Sequence, residues 1–165
     1  MEYGAALDRL FKPWNKMIAK YIVMDEGGSR LMEREGDKAK YWSNRVHVDA
    51  YEALAVLLRS GMTDATFEAI QCPTYLAYYY KDEENQDFVV SVPAMLDMFE
   101  KLGTPEAQKV KQAFPESGDH VIASSITSAD WEGVLLGSLD FLKRALPDFP
   151  QEVEKEEEEL ALLMY

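Results

Sequence analysis

The run Pro73-Thr-Tyr-Leu-Ala-Tyr-Tyr-Tyr80 constrains the fold of this 165-residue chain more than any other stretch. β-Branched and aromatic residues follow one another there without polar alternation. That is the pattern of a central strand covered on both faces, as parallel strands are. A polar loop, Lys81 to Asp87, comes next, and then Ser91 to Leu102 places Met95, Met98, Phe99 and Leu102 on one side of a helix that Gly103 ends. Lys109 to Phe114 reads as a second, shorter strand. Strand, helix and strand over this length suit a right-handed βαβ crossover, so the expected fold class is α/β.

The rest of the chain is mostly helical in pattern. Residues 3 to 24 space Leu7, Leu10, Phe11, Trp14, Met17, Ile18 and Tyr21 three and four apart, with Pro13 kinking or dividing the stretch. Asp25 to Trp42 is polar and broken by Gly27, Gly28 and Gly36, which predicts a loop with at most a helical turn near Lys38 to Trp42. Asp49 to Ser60 predicts a helix whose apolar face is Tyr51, Leu54, Leu57 and Leu58, and a short helix over Thr63 to Ile70 follows, capped by Thr63 or Asp64. Thr127 and Asp130 have the spacing of a capping box ahead of a last helix lined by Trp131, Val134, Leu135, Ser138 and Leu142. Gly133 and Gly137 in that helix permit close packing on a sheet.

The charge is −13, from 17 basic and 30 acidic residues. Seven carboxylates and one lysine between Asp148 and Glu159 make an acidic tail that holds about half of that excess. Such a balance argues against nucleic-acid and anionic-membrane partners, which need basic patches. No window reaches the ~18 consecutive apolar residues of a membrane span. The N-terminus lacks the basic start and apolar run of a signal peptide, so the expectation is a cytoplasmic protein. Met1 is compatible with an internal methionine, and a signal on an upstream segment stays open. The single cysteine, Cys72, excludes an internal disulfide and reads as a small core residue.

His120 is the residue most suggestive of chemistry. It lies in Phe114-Pro-Glu-Ser-Gly-Asp-His-Val-Ile-Ala-Ser124, just past the second strand, and open α/β sheets place their sites at the carboxyl ends of strands. A structural loop histidine is the plain alternative. The loop after the first strand offers two carboxylates, Asp82 and Asp87, that could orient an imidazole on the neighbouring loop. Spacing does not choose between them, although Asp87 leads straight into the helix. Calcium is a poor reading, because Asp87 and Pro93 stand where an EF-hand loop needs glycine and glutamate. His47 reads as a capping-region residue, and Tyr78 to Tyr80 as strand packing more than a pocket lining. No metal-ligand spacing or phosphate loop is visible, and neither a cofactor nor a metal is expected.

From Ile70-Gln-Cys-Pro-Thr-Tyr-Leu76 through the Asp82/Asp87 loop to Gly118-Asp-His-Val-Ile-Ala-Ser124 and the Trp131 helix, the chain resembles the C-terminal half of an α/β-hydrolase. The resemblance implies two late parallel strands with their helices over residues 71–146, preceded by a helical cap-like and connecting region over 1–70 and followed by the acidic tail over 147–165. It also implies a triad order of nucleophile, acid and histidine, with Asp87 or Asp82 as acid and His120 as base. No serine of the chain has glycine at both −2 and +2, so the nucleophile elbow is missing. The family resemblance therefore implies a serine hydrolase of ester, lipid or acyl-peptide bonds only in combination with an N-terminal half, and inactivity alone. Two parallel strands with open edges further imply such a partner or self-association. The alternative is a non-enzymatic acidic interaction module that keeps part of the fold.

Overall fold

The computed structural model describes Asp25 and residues 27–148. The expected N-terminal helix with Pro13 and most of the acidic tail lie outside the described residues. The chain divides between Phe67 and Glu68 into two compact units.

In the first unit a small antiparallel pair forms, and its first strand lies within the Asp25 to Trp42 segment expected to be a loop. Strands β1 (Ser29–Leu31) and β2 (Arg45–His47) pair with Ser29 opposite His47, and helix α1 (Lys38–Tyr41) lies between them in sequence. The pair is closed by local polar groups. The Asp25 carboxylate accepts from the amides of Gly27 and Ser29 at 3.0 and 2.8 Å and pairs with the Arg45 guanidinium. Gly28 has φ +72°, and a Cβ there would meet the His47 ring at 2.9 Å. His47 then caps helix α2 (Val48–Gly61), its Nδ1 accepting from the Asp49 amide at 3.2 Å. The stripe that α2 buries is Val48 and Ala55 with half-buried Tyr51 and Leu58, so the expected face is rotated. Leu54 and Leu57 fall outside it and are exposed. Helix α3 (Asp64–Ala69) follows, with Thr63 Oγ1 accepting from the Thr66 amide.

The second unit is built on a parallel pair. β3 (Thr74–Tyr78) and β4 (Lys109–Ala113) run in register from Thr74 opposite Lys109 to Tyr78 opposite Ala113. The Phe114 amide extends the ladder by donating to the Tyr78 carbonyl. Helix α4 (Val92–Glu100) connects the strands, with Ser91 capping it through the Ala94 amide. A 3₁₀ turn, Glu106–Gln108, leads into β4.

Strand alternation sends successive side chains to opposite faces. Lys109 and Lys111 place their ammonium groups 5.2 and 5.3 Å from the centre of the Phe99 ring on α4. Gln112 and Phe114 point the other way, toward helix α5 (Trp131–Ala145). There Tyr75 stacks on Phe141 at 5.3 Å and donates its hydroxyl to Gln112. One helix thus covers each face. All five residues of β3 are only half-buried, short of the full cover expected for a central strand.

Several side chains sit differently from expectation. Cys72 is exposed and not a core residue; in the bend before β3 its carbonyl accepts from the hydroxyls of Thr74 and buried Thr104. Phe141 is buried in place of Leu142, which is 37% exposed. Gly137 does lie against the sheet, where a Cβ would meet the Tyr75 hydroxyl at 2.6 Å. At Gly133 the missing side chain leaves room for the Asp130 carboxylate. Thr127 and Asp130 make no capping box, since α5 starts at Trp131 with Asp130 itself at the N-cap.

The tightest approach in this unit is at Gly103, where a Cβ would stand 2.0 Å from the Glu68 carbonyl oxygen and 3.2 Å from that of Ile70. Backbone on the receiving side cannot rotate away. Gly103→Ala is expected to destabilise this unit by about 2 kcal/mol or more, the scale of core overpacking. A urea midpoint equal to that of the parent chain would contradict this.

Candidate active site

The two loops that leave the carboxyl ends of β3 and β4 meet. After β3 the chain makes an excursion closed by a bridge between Tyr80 and Gln86. At its tip Asp82 Oδ1 accepts from the amides of Glu84 and Asn85 at 2.9 and 2.8 Å and from the Asn85 side chain. The Asn85 side-chain amide, followed by these backbone groups, holds the Asp82 carboxyl below its ordinary pKa. Asp82 is therefore spent on its own turn. The excursion returns at Asp87, whose amide donates to the Tyr79 carbonyl at 3.1 Å, one residue beyond the strand. The Tyr80 hydroxyl turns to Glu83, within the same loop.

After β4 the backbone turns at once. Ser117 is 1% exposed and donates its hydroxyl to the Phe114 carbonyl at 2.8 Å. Gly118 takes φ +71°, a left-handed conformation that glycine adopts freely. Asp119 Oδ1 accepts from the Val121 amide at 3.0 Å across the intervening His120. A surface ion pair between Lys81 and Glu116, 3.0 Å long, also links the two loops.

Asp87 and His120 are brought together, and Asp82 is not part of the pairing. His120 Nδ1 lies 2.6 Å from Asp87 Oδ2. The Asp87 side chain is 5% exposed and that of His120 is 39% exposed. The other Asp87 oxygen accepts from the amides of Val89 and Val90 at 2.8 and 2.9 Å. A buried carboxylate is costly without such partners, and three N–H groups supply them here. An ionised carboxylate only accepts, so Nδ1 carries the proton and the neutral ring presents an Nε2 lone pair. Among the described residues Nε2 has no hydrogen-bond partner. The side chains of Phe88 and Val89, beside the pair, are 77% and 73% exposed.

No serine among the described residues shares a hydrogen bond with His120. Ser117 serves Phe114, Ser124 Oγ accepts from the Ile126 amide, and Ser128 Oγ from that of Asp130. His47 belongs to the first unit as a helix cap. No group of three or more His, Cys, Asp or Glu among the described residues is placed to hold a metal ion. No helix among them is long and apolar enough to cross a membrane. A pocket of about 190 Å³, lined by Pro73, Val110, Phe141 and Arg144 among others, lies at the amino ends of the strands, away from the Asp87–His120 pair. The sequence reading missed Thr127 as a contributor to the His120 loop. Its hydroxyl donates to the Val121 carbonyl at 2.6 Å, and the capping-box spacing hid that use.

No family model, curated protein or solved structure matches the chain.

The pairing predicts a definite ring state. Nitrogen-15 spectra of His120 in its neutral form should show the Nδ1–H tautomer in the parent chain and in Asp82→Asn, whose side-chain oxygen can still accept in its turn. Asp87→Asn should shift the ring toward the Nε2–H tautomer. An equal response to both substitutions would refute the pairing.

Proposed function

We propose that the chain is the C-terminal part of an α/β-hydrolase-like serine hydrolase, with His120 as general base and Asp87 as triad acid. One observation carries this reading: the 2.6 Å contact between His120 Nδ1 and buried Asp87 Oδ2, on adjacent loops at the carboxyl ends of two parallel strands. Asp87 fixes the tautomer that leaves Nε2 free to take a proton and stabilises the imidazolium that results. Asp82, committed to its own turn, has no catalytic part in the proposal.

The group that Nε2 would deprotonate is a serine on a Gly-x-Ser-x-Gly elbow, and this sequence has none. We place it on a separate N-terminal polypeptide that also supplies the oxyanion hole. Among the described residues β3 pairs only with β4, and its other edge suits the addition of a further strand. The substrates of such an assembly are small carboxylic esters or acyl compounds. A second reading, a non-enzymatic acidic interaction module, draws on exposed Phe88 and Val89 and on the structural use of Asp87 by its own loop.

The test pairs a fluorogenic short-chain ester with a serine-reactive phosphonate. The chain alone should neither turn over the ester nor be labelled. Labelling of one of its own serines would overturn the split-nucleophile reading. Co-expression with an N-terminal hydrolase half should produce activity that His120→Ala or Asp87→Asn lowers on the order of 10⁴-fold and Asp82→Asn leaves within about twofold, the range of a surface substitution. Failure of every such complement to give turnover would favour the interaction module.

A further inference from the structure

We propose that Asp119 and Thr127 are positioning residues that hold the His120 ring on Asp87 by clamping the backbone of Val121, an inference that rests on His120 being the base. The segment from Phe114 to Asp130 that carries His120 contains no helix or strand. A side chain on such a segment keeps one orientation only if its neighbours are tied, because each freely rotating residue costs conformational entropy to fix. Both backbone polar groups of Val121 are tied by side chains. Its N–H donates to Asp119 Oδ1 at 3.0 Å and its carbonyl accepts from the Thr127 hydroxyl at 2.6 Å.

A hydroxyl has one proton to give. Thr127 Oγ1 lies 3.4 Å from the Ser124 carbonyl, which already accepts from the Thr127 and Ser128 amides, so the short contact to Val121 takes the proton. Thr127 is not occupied with capping α5, which starts four residues later. The clamp is itself anchored. The Ala129 amide donates to the carbonyl of buried Ser117 at 3.1 Å, tying the segment before α5 to the turn after β4.

A purely structural hydroxyl would change stability and leave the ring alone. Thr127→Val keeps the shape and removes the proton donor; Thr127→Ser keeps the donor. In the chain alone, Thr127→Val is expected to speed exchange of the His120 Nδ1 proton with water at least fivefold and to reduce the Nδ1–H tautomer. Thr127→Ser should match the parent, and the amide spectrum outside residues 114–130 should be unchanged. With a complementing N-terminal half, kcat should fall by roughly ten- to a hundredfold at unchanged KM, the scale of a sub-ångström to ångström misplacement. An unaltered Nδ1–H signal in Thr127→Val would overturn the clamp. So would rapid hydrogen exchange of the Val121 amide in the parent chain, a measurement that needs no variant. These ring and amide readouts require no nucleophile, so their failure is separable from failure of the hydrolase reading, which the ester assay decides.

Discussion

Parallel pairing of β3 with β4 is the constraint on which the second unit depends. Antiparallel strands in a hairpin would send the following loops to opposite ends. Parallel strands send both to the same end, and the register sets Tyr78 level with Ala113. Asp87 and His120, 33 residues apart in sequence, therefore leave the sheet side by side. The crossover that parallel pairing demands is α4, and its Phe99 is covered by lysines from β4. The opposite face is closed by α5, where Gly137 lets the helix approach Tyr75. Each close contact serves to keep two strands parallel and adjacent.

The strands divide the unit into two chemically unlike ends. At the carboxyl ends a buried carboxylate, an imidazole and the exposed apolar residues Phe88 and Val89 come together. At the amino ends a pocket beside Phe141 is lined by apolar Pro73 and Val110 together with polar Gln108 and Arg144. Arg144, at its edge, is committed to Asp140 at 2.6 Å.

The sequence carried the βαβ unit well, because its signals are local. The aromatic and β-branched run marks β3, the three-and-four spacing marks α4, and Gly103 marks its end. His120 and Asp87 were recognisable as candidates, yet the choice of Asp87 over Asp82 was not. That choice depends on the Tyr80–Gln86 bridge and on the Tyr79 carbonyl, which fold the excursion back onto the strand end. The strands β1 and β2 were illegible because three residues are too few to show a period, and their pairing rests on Asp25 and Arg45. The face of α2 was misjudged because leucines at 54, 57 and 58 outweigh small Ala55 in any pattern of hydrophobicity, although Ala55 is the one buried. Thr127 shows the same ambiguity in polar form, since a hydroxyl before a helix fits a cap as readily as a tether.

Asp87 answers to two demands at once, and this affects how its persistence should be read. One oxygen receives the imidazole; the other receives two amides that shape the Phe88–Val90 turn. Loss of this aspartate would remove the acceptor of both amides whether or not the chain takes part in any catalysis. An aspartate retained at this position among descendants would therefore testify to the turn alone. The histidine, whose outer nitrogen has no structural employer among the described residues, is the better witness to whether the proposed chemistry is under selection.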